Sequence, residues 1–431
     1  MKFTQEEILK TGAQLVRGGF SGEAAISTDT RTIRKGDLYL PLKGENFDGE
    51  KFIPQAVAKG AAGVFTTTEA DAPAVFKVGN TLETYLKLAN LVRNKFKPKV
   101  IAITGSSGKT TTKDMIAAVL SQKFKTHKTF SNHNNEVGLC QTILSMPEDT
   151  EVLILEMGMR ALGEIETLSK YAEPDIAVIT NIGTAHIGRL GSVENIAKAK
   201  LEIVSRLRPG GVLIAPDNEF TRKTNSSTLN PQPSTKIECR PDYSRFIYKE
   251  KEYELNVAGD YNIKNAIAAI ETGYQLGMTY DEIRRGLLTY RPAEKRGEVI
   301  KVNGFTIIND SYNANPDSMK ASVSAFIELY KNPVVVLGDM GELGEQEVEL
   351  HREVGRVLNG AAKFITVGKL AAYIGAELLQ RGFSVNSFDT NKEAARYILA
   401  NCALGATILL KASRSMKFEE IIEELRGENR K

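Results

Sequence analysis

The stretch ITGSSGKTTTKDM at 103–115 contains the residue types that hold a phosphate. An apolar run, VIAIT at 100–104, leads into a loop with Gly105 and Gly108, and Lys109, Thr110 and Thr111 open a helical pattern. Small residues there (Gly105, Ser106, Ser107, Gly108) let successive backbone N–H groups converge on an anion, and a helix N-terminus adds favourable partial charge. Lys109 would then lie against β/γ-phosphates, with the Thr110 hydroxyl on Mg²⁺. The loop is the short GxxGKT form, since Ile103 stands where the longer pattern has glycine. A Gly-rich turn that only packs strand on helix has the same composition; the order strand, Gly-Lys-Thr, helix favours the phosphate reading.

Three further residues could carry chemistry, and the first two fall at the same edge of the sheet. Glu156 ends the apolar run of EVLILEMGM, where a carboxylate either holds Mg²⁺ as a Walker-B acid does or reaches solvent. His186 follows DIAVITNIGTAH, again just past a strand end, as a packing histidine or a ligand. In SVENIAKAKLEIVSRL, helical periodicity puts Val193, Ile196, Ala197, Val204 and Leu207 on one apolar stripe with Lys200 in its middle. Lys198 falls on the opposite face, with Glu194 and Glu202 as ion-pair partners four residues either side. An unpaired buried ammonium is costly, so Lys200 must snorkel, find an anion or change its chemistry.

The elements that position these groups are read from the pattern of apolar runs. The first hundred residues suggest a small α/β unit: a short amphipathic start (Ile8, Leu9, Leu15, Val16), strand-like DLYLPL, helix-like IPQAVAKGAA and strand-like GVFTT. KFKPKV at 95–100 suits a linker. From Val100, apolar runs alternate with helical patterns (EVLILEMG, DIAVITNIG, a helix near 192–207, GVLIAP), which predicts crossovers and a mainly parallel sheet. The polar, Pro- and Ser-rich 221–240 reads as a loop. A helix begins near Asn262, and PVVVLG, KFITVG and ATILLKAS give a third α/β unit.

Composition sets the outer limits. With 431 residues, 42% hydrophobic and 25% charged, the chain is an ordinary globular one of roughly three domains at about 150 residues each. A net charge of +3 without like-charge blocks implies no non-specific nucleic-acid binding. Cys140, Cys239 and Cys402 are far apart, which argues against a disulfide framework or structural zinc and for a reducing compartment. The polar start is not read as a signal peptide, and the longest apolar runs are too short to span a membrane.

Taken together, these motifs resemble the ATP-dependent Mur ligases of bacterial cell-wall synthesis. The resemblance runs from STDTRTIRKGDLYLPLKGENFDGEKF through TGSSGKTTTK, SNHNNEVG, LEMGM and TNIGTAHIGRLGSVENIAKAKLEI to GDYNIKNAIAA, NDSYNANPDSM, LGDMGELG and LLKASRSMKFEE. It implies an α/β fold in three domains: a small N-terminal uridine-substrate domain (1–98), a central P-loop domain with a mainly parallel sheet (99–308) and a C-terminal Rossmann-like domain (309–431) that closes on ATP and binds the incoming dipeptide. The implied substrates are ATP, UDP-N-acetylmuramoyl-tripeptide and D-alanyl-D-alanine, joined through an acyl phosphate by a cytoplasmic monomer with no nucleic-acid partner and no membrane insertion.

The resemblance also implies roles. Thr104 to Thr111 cradle the phosphates. Lys109 steadies the γ-phosphate, Thr110 and Glu156 hold one Mg²⁺, and His186 holds a second. Lys200 matches the lysine that carries a CO₂-derived carbamate as a magnesium ligand. Asn262 and Asn265 face adenine, Arg296 reaches the phosphates, and Asp310, Tyr312 and Asn313 touch the nucleotide. Asn134 and Asn135 match muramoyl-peptide contacts, and Asp29, Arg31, Lys43, Gly44, Asp48 and Gly49 match the uridine-diphosphate motifs. Ser413 and Arg414 match substrate contacts, although Ala412 stands where the family usually has glycine. A folylpolyglutamate synthase shares the phosphate loop but lacks the first domain, and the Asp-Asn-Pro-Arg motif of the ligase adding the third amino acid is absent from the sequence. A nucleotide switch would need neither the metal cluster nor Lys200.

Overall fold

The computed structural model describes residues 1–44, 46–231 and 234–427. Its centre is a six-stranded, wholly parallel sheet ordered Thr126–Lys128, Val152–Glu156, Lys99–Thr104, Ile176–Ile179, Val212–Ile214, Ser227–Leu229. The three middle strands are nearly all buried, as a parallel sheet covered on both faces requires. After Lys99–Thr104 the chain builds first to one side and then to the other, so the phosphate-loop strand lies at the topological switch point. Glu156 pairs with Ile103 and Ile179 with Thr104, so three strands end level at one carboxyl edge.

The N-terminal sheet has four parallel central strands, Glu23–Ser27, Leu38–Tyr39, Gly63–Thr66 and Ala74–Lys77, with antiparallel edges Lys2–Thr4 and Gln14–Gly18. Helix Thr81–Phe96, capped by Asn80, joins it to the central domain. Leu88, Ala89 and Val92 enter a core shared with Leu139, Ile143 and Leu168. Fully buried Arg93 donates from Nε to the Ala172 carbonyl and from Nη2 to the Glu173 carbonyl, both at 2.9 Å, with Asp175 at 3.7 Å. The linker predicted at 95–100 shrinks to Lys97, in the left-handed region at φ 52°, and Pro98.

The C-terminal sheet is ordered Glu298–Val302, Phe305–Asn309, Thr407–Lys411, Val334–Gly338, Lys363–Val367, Val385–Phe388, antiparallel only in its first hairpin. The break set at 308/309 therefore cuts the strand Phe305–Asn309, and this sheet already begins at Glu298. That first strand has a single buried residue, Val302, so its apolar pattern is faint.

Other expectations change too. The N-terminal amphipathic start is a strand (Lys2–Thr4), a helix Gln5–Leu9 closed by a Thr4/Glu7 capping box, and a strand holding Leu15 and Val16. The predicted loop at 221–240 holds strands Ser227–Leu229 and Thr235–Arg240, the latter opening an antiparallel sheet with Tyr243–Tyr248 and Lys251–Leu255. Both are edge strands with mostly wet side chains, so polarity there mimics a loop. The helix near 192–207 is α-helical over Val193–Leu201 and tightens to 3₁₀ over Glu202–Val204. No described helix is long and apolar enough to cross a membrane.

Candidate active site

The phosphate loop leaves Thr104 and turns at Gly105 (φ 152°) and Gly108 (φ 78°) into helix Lys109–Leu120. A Cβ on Gly105 would lie 1.9 Å from Thr180 Oγ1, and one on Gly108 2.6 Å from Asn265 Oδ1, so both positions demand glycine. Asn181, at the end of the neighbouring strand, holds the turn. Its Oδ1 accepts from the Ser107 N–H at 3.0 Å, and its Nδ2 donates to Ser107 Oγ at 2.9 Å. Ser106 Oγ accepts from the Gly183 N–H at 2.9 Å. Lys109 folds back to donate to the Gly105 carbonyl at 2.7 Å. Its pKa is lowered by burial; Glu156 and Glu342 oppose the shift and Arg296 adds to it. Thr111 faces the Tyr290 phenol.

Glu156 is buried, and its two oxygens are separately engaged: Oε2 accepts from Thr110 Oγ1 at 2.9 Å and Oε1 from Asn134 Nδ2 at 3.1 Å. Buried Lys113 lies 3.7 Å from Oε2. Asn135 spends its side chain capping helix Glu136–Ser145 through the Gly138 N–H.

Lys200 is 1% exposed, whereas Lys198 is on the surface. Among the described residues the Lys200 side chain has no hydrogen bond or ion pair. Its pKa falls well below the usual lysine value, chiefly through burial and then through the charge of Lys109. The ion pairs expected for Lys198 do not form among the described residues. Glu202 instead accepts from the Gly163 and Glu166 N–H groups at 2.8 and 3.2 Å, at the start of helix Glu164–Ala172.

His186 caps a short helix, Ile187–Leu190, with φ at 67°. Its Nδ1 lies 2.7 Å from Glu342 Oε2, off the line of a hydrogen bond. Glu342 comes from the C-terminal domain and also has positive φ, 63°. Its carboxyl is held below the ordinary range by His186, against burial, with Arg189 and Arg160 helping. Around this pair the two domains meet closely. The Gly188 N–H donates to the Glu342 carbonyl at 3.2 Å, Asp317 Oδ2 accepts from Thr184 N and Oγ1 at 2.9 and 3.0 Å, and Asn315 Nδ2 reaches the Ser106 carbonyl at 3.5 Å.

The remaining residues separate into those near this centre and those apart from it. Buried Asn265 meets Thr112 Oγ1 at 3.2 Å behind the loop, while Asn262 donates to the Ala258 carbonyl. Arg296 stacks on Tyr312 at 4.0 Å, and Arg414 lies 5.6 Å from the same ring. Asp310 is tied to Lys411 at 2.8 Å and Ser322 at 2.9 Å, and Asn313 accepts from the Ala314 N–H. Ser413 donates to the Asp339 carbonyl at 2.7 Å. Ala412 is buried, and its methyl fits because residue 338 is glycine: a Cβ there would come within 2.7 Å.

In the N-terminal domain, Arg31 forks onto Asp29, whose carboxyl falls to about 2 through hydrogen bonds from that side chain and its backbone. Lys43 is 3.8 Å from Asp48, and Gly44 sits in the small hairpin with Phe47 and Asp48. Buried Tyr39 donates to the Gly49 carbonyl at 3.0 Å, and burial, with Asp29 and Asp48 nearby, pushes its phenol up to about 12. These residues thus gather about one tyrosine of the N-terminal domain.

Sequence reasoning did not single out Asn181, Asp317, Glu342 or Lys113. Asn181 was findable, since it follows an apolar run at the carboxyl edge. The others lie inside motifs quoted for the resemblance, but they act across domains or from within a helix, and nothing in their spacing reports the partner.

Comparison with known proteins matches each part of the chain. Residues 24–95 match the Mur ligase family catalytic domain, 103–273 the Mur ligase middle domain and 295–414 the Mur ligase glutamate ligase domain. The chain is 39% identical to the UDP-N-acetylmuramoyl-tripeptide--D-alanyl-D-alanine ligase of Bacillus subtilis (strain 168), covering 97% of this chain and 98% of that one. It is 33% identical to the ligase of the same name from Escherichia coli (strain K12), with 93% of each covered. Among solved structures it is similar to MurF from Acinetobacter baumannii, at TM-score 0.92 and 30% identity over 99% of both chains. It is also similar to the MurF ligase from Thermotoga maritima in complex with ADP, at TM-score 0.84 and 27% identity over 94% of this chain and 97% of that one. With its three parts matched in order and a relative covered almost end to end, the chain belongs to the Mur ligase family.

Proposed function

We propose that this chain is an ATP-dependent ligase that joins D-alanyl-D-alanine to UDP-N-acetylmuramoyl-tripeptide, giving UDP-N-acetylmuramoyl-pentapeptide, ADP and phosphate for peptidoglycan synthesis in the cytoplasm. The observation that carries this reading is the 39% identity to a ligase of that name over 97% of the chain. In the reaction, a carboxylate oxygen of the tripeptide attacks the γ-phosphorus and ADP leaves. The dipeptide amine then attacks the acyl carbon, loses a proton and expels phosphate.

The first step brings two anions together, so positive charge must be concentrated where they meet. Lys109 and Arg296 supply it: Lys109 needs only to exchange the Gly105 carbonyl for a phosphate oxygen. Arg296 is kept flat against Tyr312 and close enough to depress the Lys109 pKa. Thr110 and Glu156 are already 2.9 Å apart, a hard-oxygen pair that suits Mg²⁺ beside the loop. Magnesium bound there would neutralise phosphate charge during transfer.

Lys200 fits the second metal position by its chemistry. Burial without a partner favours the neutral amine, whose lone pair can attack CO₂ and, on losing a proton, become a carbamate. That would turn a buried lysine with no counter-ion among the described residues into a carboxylate-like ligand. Closure by the C-terminal domain would exclude water from the acyl phosphate, and the nucleotide contacts proposed for Asn262, Asn265, Asp310, Tyr312 and Asn313 come from both domains. The Tyr39 cluster is the proposed uridine-diphosphate site, Asn134 the muramoyl-peptide contact, and a monomer is the proposed working unit.

The test is phosphate release from ATP measured with each substrate withheld in turn. Release should require both UDP-N-acetylmuramoyl-tripeptide and D-alanyl-D-alanine. ATP turnover indifferent to both would overturn the ligase reading.

A further inference from the structure

The contact between His186 and Glu342 crosses a domain boundary, and its two residues share an uncommon backbone state. Both are non-glycine residues with positive φ, 67° and 63°. Such conformations cost energy and persist where the surroundings fix them. The backbone beside them is fixed by a close approach: a Cβ on Gly188 would lie 2.3 Å from Gly344 N. The result places a carboxylate oxygen 2.7 Å from Nδ1, on one side of the imidazole.

A histidine that binds a metal through one ring nitrogen regularly gives its other N–H to a carboxylate, which sets the tautomer and the ring's direction. The geometry points to Glu342 as that positioning residue. Its carboxylate accepts a hydrogen bond from the Nδ1–H of His186, leaving Nε2 as the nitrogen with a free lone pair for the second magnesium. This rests on the reading of His186 as a metal ligand given above. Glu342 Oε2 is now off the N–H axis, so a small turn of either side chain completes the bond. Because Glu342 belongs to the C-terminal domain, His186 becomes an oriented ligand only when that domain is closed. Metal affinity and domain closure are therefore one coupled equilibrium.

The test is Mn²⁺ binding, followed by electron paramagnetic resonance of the free aqueous ion in the presence of ADP. It compares the full-length protein with E342Q, E342A and H186A, and circular dichroism checks each fold. Glu342 is 40% exposed at its side chain, so its substitution leaves the cores untouched. Loss of an outer partner of this kind weakens metal binding about 10- to 100-fold. E342Q and E342A should show that loss at one site, and H186A at least as much. Weakened binding in H186A with wild-type binding in both Glu342 variants would overturn this inference and leave the ligand reading of His186 standing. Wild-type binding in H186A as well would overturn both.

Discussion

Replacing Gly188 by alanine adds one methyl at the junction between the central and C-terminal domains. Gly188 lies in the short helix Ile187–Leu190 and has no positive φ, so its own segment accepts alanine without strain. What the methyl meets is backbone: Gly344 N at 2.3 Å and the Leu343 carbonyl carbon at 2.5 Å, where ordinary contact begins at 3.4 Å. Backbone cannot rotate aside as a side chain does. The loop carrying Glu342 must therefore retreat by about 1 Å, and the closed arrangement is lost or displaced. A misplacement of about 1 Å in groups that assemble a site costs on the order of 10²-fold in rate, or about 2.7 kcal/mol of barrier. The domains themselves keep their cores, so thermal stability should change by no more than about 0.5 kcal/mol. Steady-state kinetics of the ligation give kcat/KM, small-angle scattering gives compaction, and a thermal melt gives the fold. We expect kcat/KM to fall about a hundredfold, with a larger radius of gyration and a nearly unchanged Tm. Wild-type kcat/KM at wild-type compaction would refute the closure argument; so would a large drop in Tm, since the residue would then be holding its own domain together.

Further outcomes can be checked directly. Lys109→Ala should abolish phosphate release while leaving circular dichroism unchanged, and a near-normal rate would remove Lys109 from the phosphate site. Lys200→Ala should inactivate and recover partly with an added short-chain carboxylic acid, whereas Lys198→Ala should be mild; equal effects would count against the carbamate. His351 is buried, accepts the Met340 N–H at Nε2 (2.9 Å) and faces the Glu347 carbonyl with Nδ1 (2.6 Å), and burial pushes its pKa below the usual histidine value. Below about pH 6.5 the unfolded chain takes up a proton that the native histidine refuses, so stability should fall with pH by up to about 1.4 kcal/mol per unit until the native pKa is reached. Denaturant titrations from pH 8 to 5 should show this slope in the wild type and a shallower one in H351Q, and identical slopes would contradict it.

The parts of this molecule that were legible in sequence are those whose signal is local. The phosphate loop follows from small residues between an apolar run and Lys109, and the depth of Lys200 from its place on a helical stripe. Strand Val152–Glu156 was visible because both its faces are buried. Strands Ser227–Leu229 and Thr235–Arg240 were not, because their side chains face water and hydrophobic patterning has nothing to record. Glu202 was assigned to its helical neighbour Lys198, but the N–H groups opening a different helix offered better geometry. Glu342 and Asp317 act on residues more than 130 positions away, and no periodicity reports a contact made by closing one domain on another.

The buried guanidinium of Arg93 bears on which substrates can react. Its hydrogen bonds to the Ala172 and Glu173 carbonyls, inside a shared apolar core, lock the N-terminal domain to the sheet that carries the phosphate loop. The spacing between the Tyr39 cluster and Lys109 is thus set by how the N-terminal domain is seated on that sheet. If the Tyr39 cluster holds the uridine end, as proposed, the nucleotide must span that length to present its carboxylate at Lys109. Each peptide residue extends at most about 3.6 Å, so on the proposed assignment a precursor one residue short would reach that much less far toward the γ-phosphate. With those two sites as proposed, the junction would act as a ruler, weighing substrates by length before any side chain is read.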